Sequence, residues 1–375
     1  MRTVALDLGK RKISYCEVAN GKVIQRLTVS SLNALETELG PGRATARVAI
    51  EACREAWHVH DVLTQWGNEV IIIDTTRVRR LGVGQHGRKT DRIDAEVLAL
   101  ALERGGVPMA HVLSPARREL RRWLSVRRGL VESRTEMVTM ARGLCRELGV
   151  PLPRCVTGSF VARVRQAELS SDVRRLLEPL LTSLETIGAE LKVTEQQLAQ
   201  LCAQEPIVTL LATTPGVATI VAAAFVSVID DAKRFRNAHQ VESYLGLVPT
   251  ENSSGGIRRV GAISKQGNSY ARSLLIESAW TILRNAPAED PLKQWGEVVT
   301  KRRGKRIAVV ALARRLVGVL WGMWRDGTFY DPRVLAVSGS RGLTRSAQTL
   351  EERAAALHRA SKKQRMLKVK EATPA

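Results

Sequence analysis

Val4–Val18, VALDLGKRKISYCEV, sets an aspartate into an apolar strand. Thr3–Leu8 reads as one strand, and Lys12–Val18 reads as a second. A carboxylate in such a run is costly to bury without a partner, so Asp7 demands companions from elsewhere in the chain. Asn20-Gly21 is a two-residue hairpin signal leading into a third strand, Lys22–Val29. Beyond it, Ser31–Leu39 reads as helical, Arg47–Ile50 as a short apolar strand ending at Glu51, and the stretch to about Trp66 as a helix. Glu69–Asp74, EVIIID, reads as another buried strand. Three hairpin strands followed by alternating α/β units predict a mixed sheet with its first strand central.

A basic, glycine-rich loop follows at Arg77–Lys89, and then the helix TDRIDAEVLALALERGG, with Thr90 as its N-cap and Gly105-Gly106 at its end. Composition shifts after Pro108. Arg117 to about Leu148 and Ser171–Leu201 predict two long helices, the second with weak heptad character at Leu176, Leu180, Leu184, Leu191 and Leu198. Val208 to about Trp324 predicts a second, mostly helical region. In it TPGVATIVAAAFV reads as two helices joined by a turn at Pro215-Gly216. The expected fold class is thus α/β plus α: a mixed-sheet domain over 1–107, a helical or coiled-coil spacer over 108–205, a helical domain with a helix-hairpin-helix-like element over 206–330, and a basic tail over 331–375.

Lys and Arg number 58 against 37 Asp and Glu, a net charge of +21. A surplus that large speaks to partners and not to fold, and nucleic acid is the first expectation because phosphate contacts release counterions. A membrane is not expected, since no apolar run reaches the roughly 18 residues that a spanning helix needs. Cys16, Cys53, Cys145, Cys155 and Cys202 are scattered without a CxxC pair, which argues against a zinc site or a disulfide framework. The N-terminus runs straight into a strand pattern, so a reducing cytoplasmic setting is expected.

Four carboxylates from separate elements stand out. Asp7 is on the first strand, Glu51 ends the fourth, and Asp91 and Asp94 lie at i and i+3 near a helix start, so both face one side. Converging carboxylates repel one another unless cations neutralise them. Two Mg2+ ions about 4 Å apart would do so and would clamp the oxygens of a phosphodiester. Taken singly, each has a plainer reading: Asp7 as a turn former, Glu51 as a surface residue, Asp91 as a helix N-terminal charge.

LDLGKRKI, AIEA and KTDRIDAEVLA together resemble the DEDD transposases of the insertion sequence 110 family, TDRIDA being the most specific block. The resemblance implies a ribonuclease-H-like, RuvC-like N-terminal domain with Asp7, Glu51, Asp91 and Asp94 as ligands of Mg2+, for which Mn2+ substitutes. It extends to GLVPTENSSGGIRRVGAISKQGN, where residues alone show only a polar, basic loop suited to a DNA backbone. There it implies a serine that attacks DNA to form a phosphoserine link, Ser254 by position, with Ser253 the alternative if the register shifts by one. Arg258, Arg259 and Lys265 are expected phosphate contacts. Arg118, Arg121 and Arg122 in RRELRRWLSVRR, and Lys301, Arg302 and Arg303 in KRRGKR, are further candidates. The resemblance spans roughly residues 3–104 and 206–285. It also implies a homodimer or homotetramer that holds double-stranded DNA at element ends and target, guided by a noncoding bridge RNA, in the bacterial cytoplasm at the nucleoid.

Three other readings compete. A RuvC-like nuclease would use water and leave the serine idle. An actin-like ATPase shares the apolar-Asp-apolar-Gly strand, yet Lys10, Arg11 and Lys12 stand where phosphate-cradling Gly, Ser or Thr belong. A DNA-packaging protein explains the charge but not four placed carboxylates.

Overall fold

A computed structural model describes residues 1–74, 77, 91–251 and 260–337; the side chains of residues 91–94, 260, 336 and 337 lie outside the description. The chain divides into two compact units, Met1–Val112 and Leu113–Ala375.

The first unit is a five-stranded mixed sheet in the order β3-β2-β1-β4-β5. Its strands are β1 (Arg2–Leu8), β2 (Ile13–Ala19), β3 (Lys22–Val29), β4 (Ala46–Glu51) and β5 (Glu69–Ile73). β1, β2 and β3 run antiparallel, whereas β4 and β5 lie parallel to β1, which sits in the middle. The β2–β3 hairpin closes at Asn20-Gly21, both residues at positive φ, the geometry that a two-residue turn needs. Alternation along the strands sends Val4, Leu6, Tyr15, Val48 and Ile50 to one face, under α1 (Glu36–Leu39) and α2 (Ala56–Gln65). Ala5, Cys16, Ala49, Ile71 and Ile73 point to the other face. There α3 (Asp91–Glu103) covers them with Ala95, Leu98, Ala99 and Leu102, an i, i+3, i+4, i+7 stripe.

The second unit starts with two 33-residue helices, α4 (Pro115–Glu147) and α6 (Ser171–Ala203), with the short α5 (Phe160–Gln166) between them. Arg117 pairs with Glu205 and Arg127 with Glu195, so the long helices run antiparallel over about 50 Å. At the tip, Val138, Ala141 and Cys145 pack with Phe160 of α5 and with Val173, Leu177 and Leu181 of α6. The α6 stripe differs from the expected heptad: Leu176 is 45% exposed, while Leu177, Leu184, Leu191 and Leu198 are buried. At the base, Leu120, Leu124, Leu198 and Cys202 enter the core of the remaining helices.

That core gathers α7 (Pro206–Leu211), α8 (Thr219–Ile229), α9 (Ala238–Tyr244), α10 (Ser269–Asn285), α11 (Pro291–Arg303) and α12 (Lys305–Asp326), followed by α13 (Pro332–Val337). The turn between α7 and α8 holds Gly216 at φ +74, where a Cβ would meet Ser278 O at 2.8 Å. Helix α12 corrects the expectation about apolar runs. Its mean hydropathy of 1.6 over 18 residues makes it long and apolar enough to cross a membrane, but Ala308, Leu312, Leu316 and Leu320 are buried as the central rib of this core.

Candidate active site

Asp7 and Glu51 enter the same end of the sheet from neighbouring strands. Leu6 pairs with Ile50, so the next residues along, Asp7 and Glu51, share a row, with strands about 4.8 Å apart. Opposite them stand Ser14 on β2 and Ile73 on β5. Ile73 belongs to the α3-covered face, and Asp7 and Glu51 share the parity of Ala5 and Ala49 on that face. Both acids are half-buried.

The direction of α3 follows from two contacts. Glu103, at its end, accepts a hydrogen bond from Gly21 N at 2.9 Å in the β2–β3 turn, beyond the start of β1. Glu96 pairs with Arg26, which is level with Cys16 and Ala5. From that level Asp7 is about 6.6 Å further along β1, and the backbone of Asp91 is about 7.5 Å further along α3 in the same direction. The first turn of α3 therefore stands over the row of Asp7 and Glu51. The side chains of Asp91 and Asp94 lie outside the described residues, among which no three His, Cys, Asp or Glu side chains form a metal-binding group.

The donor chemistry of the row fits a hard divalent cation. Asp7 and Glu51 offer oxygen alone, which suits Mg2+ before Zn2+. Cys16, on the same face, is buried, and that burial pushes its thiol up, away from the thiolate a soft metal would want. The opposite face carries a different acid. Glu17 is buried there but neutralised by Arg2, whose Nε donates to Oε1 at 2.8 Å.

The second candidate region rises from a short hairpin, β6 (Pro249–Glu251) paired with β7 (Val260–Ile263). Ser253, Ser254, Arg258 and Arg259 lie between these strands, outside the described residues. The base of the hairpin is fixed by features that residue-type reasoning passed over. Gly246 and Gly267 both adopt positive φ, and a Cβ on either would collide with backbone, at 2.2 Å from Gln266 O and 2.1 Å from Tyr244 O. Arg272 is buried and its Nη1 donates to Leu245 O at 3.0 Å and to Gln266 O at 2.8 Å, tying both sides of the base together. Only the YLGLVP and KQGNSYAR glycines hinted at this lock. Lys265 is exposed and sits at φ +55, with its N donating to Gly246 O at 3.1 Å.

The basic candidates separate by burial. Arg118 is 5% exposed and its Nε donates to Leu113 O at 2.7 Å, so it braces the start of α4 instead of facing solvent as the charge run suggested. Arg121 is half-buried and desolvation holds its guanidinium below the usual value, while Arg122 is exposed. Lys301, Arg302 and Arg303 are all exposed in the last turn of α11, where positive charge suits the helix dipole.

Two stretches of the chain match known protein families. Residues 4–148 match a transposase model of the DEDD type found in IS110 elements, and residues 208–293 match the transposase IS116/IS110/IS902 family. A probable family 20 transposase of Pseudomonas aeruginosa is 31% identical over 292 residues, covering 76% of this chain and 86% of that protein. The transposase for insertion sequence element IS1111A of Coxiella burnetii is 26% identical, covering 86% of this chain and 89% of its own. The transposase for IS1328 of Yersinia enterocolitica is 26% identical over 88% of this chain and 98% of its own.

Proposed function

Because the chain belongs to the IS116/IS110/IS902 family of transposases, it is a DNA transposase, and we propose that it cuts and rejoins DNA with an acidic site and a serine nucleophile. The observation that carries this reading is the shared row of Asp7 and Glu51 beneath the first turn of α3. Asp91 and Asp94 continue by spacing the stripe of Ala95, Leu98 and Leu102, which supports four carboxylates at one sheet edge. Strand order, with β1 central between antiparallel and parallel neighbours, supports a ribonuclease-H-like, RuvC-like domain.

Asp7, Glu51, Asp91 and Asp94 would hold Mg2+, or Mn2+ in its place. When bound, the metal supplies Lewis-acid charge against a phosphodiester. Ser254 carries the nucleophile, with Ser253 the adjacent hydroxyl. Its Oγ bonds to phosphorus as the P–O bond to one deoxyribose breaks; the serine proton leaves, and the departing strand gains one to end as a hydroxyl. The phosphoserine link keeps the ester energy, so a hydroxyl from another strand reverses the step and rejoins DNA. Arg258, Arg259 and Lys265 hold backbone phosphates beside the serine, and Lys301, Arg302 and Arg303 hold them elsewhere. A net charge of +21 with 4% aromatic residues supports reading of backbone and shape, with sequence delegated to a bridge RNA. The working form is a homodimer or homotetramer.

Denaturing electrophoresis after incubation with element-end DNA and Mg2+ tests this. The wild-type chain yields a protein–DNA adduct, Ser254→Ala loses it, and Asp7→Asn or Glu51→Gln loses both adduct and cleavage. Undiminished cleavage by Ser254→Ala would overturn the serine step in favour of water.

A further inference from the structure

Tyr244 is the last residue of α9, just ahead of the hairpin that carries Ser253 and Ser254 in sequence. Among the described residues it is the one exposed aromatic side chain. An apolar group exposed singly needs no explanation, so its surroundings decide what it is for. Phe235 packs against the ring, with centroids 5.3 Å apart and planes at 63°. The Arg234 guanidinium lies 5.1 Å from the Phe235 centroid and 5.4 Å from that of Tyr244, a cation–π contact with both. Arg234 is itself anchored, its Nη1 donating to Ile229 O at 2.6 Å. Tyr244 is thus braced from within the protein, yet with these neighbours in place it is still 39% exposed.

Backbone contacts tie the ring to the foot of the hairpin. The chain leaving the hairpin crosses Tyr244 so closely that a Cβ on Gly267 would meet Tyr244 O at 2.1 Å. Lys265, two residues before that crossing, donates its N to Gly246 O, two residues after Tyr244. Arg272 holds the carbonyl between them, Leu245 O. Lys265 is exposed, and so are Lys233 and Arg236, which flank Arg234 and Phe235 in sequence. The acid nearest in sequence, Asp231, is spent on capping the turn by accepting from Lys233 N at 2.8 Å. A braced, open ring among cations has the makeup of a single-strand platform, in which basic groups track the backbone and an aromatic face takes any base.

We propose that Tyr244 is a stacking platform for one unpaired base of the DNA strand that the serine hairpin engages, with Lys233, Arg236 and Lys265 beside its phosphates. Rejoining a strand to a new partner leaves bases next to the break without their old complements, and stacking holds them whatever their identity. The inference rests on the serine reading above for its choice of strand and adds a base contact to it.

Fluorescence polarisation with the full-length chain compares a labelled DNA strand, its duplex and the RNA strand of the same sequence. The titrations are run at about 200 mM salt, where the charge contribution common to all three is weakened. Tyr244→Leu keeps apolar bulk against Phe235 and is expected to bind single-stranded DNA about tenfold more weakly. Its salt slope should be unchanged, because no phosphate contact is lost. Tyr244→Phe keeps the ring and should bind like wild type, and duplex DNA, whose bases are already stacked, should bind both variants like wild type. Arg236→Gln should instead lower the salt slope by about one; an unchanged slope overturns its phosphate contact. Undiminished binding of single-stranded DNA by Tyr244→Leu overturns the platform, as does an equal loss on duplex DNA or an equal loss with Tyr244→Phe. A wild-type chain that binds no single-stranded DNA overturns it as well, and a loss confined to RNA overturns the choice of DNA. The serine reading is decided separately, by the Ser254→Ala adduct.

Discussion

Arg2 reaches from β1 to Glu17 on β2 with both edges of its fork, and the Tyr15 hydroxyl donates to the same carboxylate at 2.6 Å. Arg2, helped by Tyr15 and against the raising effect of burial, holds the Glu17 carboxyl below its ordinary value, while burial and then Glu17 push the Tyr15 hydroxyl up. A carboxyl depressed in the folded state contributes stability above its unfolded value, near 4.5. That contribution is lost as pH falls through the lower folded value. Urea unfolding should therefore lose stability below about pH 4.5, and Glu17→Gln should flatten that slope. Arg2→Met leaves a carboxylate only 9% exposed without its cation and should cost about 3 kcal/mol by the same measurement. Residue type alone did not announce this network, because Glu17 reads like any polar position of an amphipathic strand. Asp7 and Glu51 were legible for a different reason. Strand parity and a parallel β1–β4 pairing place them in one row once the hairpin is recognised. Arg118 was not legible: a run of arginines cannot say which one turns inward to bond Leu113 O.

The sheet elements were readable because a period of two and an Asn-Gly turn leave little freedom. Helix α6 was readable as a helix, and its facing was readable at Leu184, Leu191 and Leu198 but not over its first turns. The leucine spacing suggested Leu176, Leu180, Leu184, Leu191 and Leu198; the last three lie in the buried stripe, which at its start runs instead through Val173, Leu177 and Leu181. Phe160 and Val164 of α5 pack on the tip and draw that face inward, a tertiary demand invisible in a leucine count. Leu177→Ala should cost about 2–5 kcal/mol in thermal or urea unfolding. Leu176→Ala, one residue away, should stay within about 0.5 kcal/mol. Equal effects would reject the assigned facing. The stretch read as a loop at Glu251–Asn268 holds β7 and the cap of α10, since Gly246 and Gly267 let two backbones approach closely enough to lock its base.

Across the whole chain, +21 charges meet a fold whose second unit exposes Lys301, Arg302 and Arg303 together. Binding to duplex DNA should accordingly weaken by about a thousandfold or more between 50 and 200 mM salt, if about six phosphates are neutralised. A filter-binding or polarisation titration over that range measures the slope, and a flat response would deny the charge its role. The antiparallel pair α4 and α6 has a consequence for how such a chain changes over evolution. Positions matched across the pair advance on one arm as they retreat on the other, so both ends of the hairpin tolerate an equal deletion from each arm. Removing seven residues from each would draw the tip about 10.5 Å nearer the base while Leu124 still meets Leu198 and Val138 still meets Leu184. The hairpin is in that sense a ruler whose length can be reset in whole heptads without redrawing the helical core that carries it.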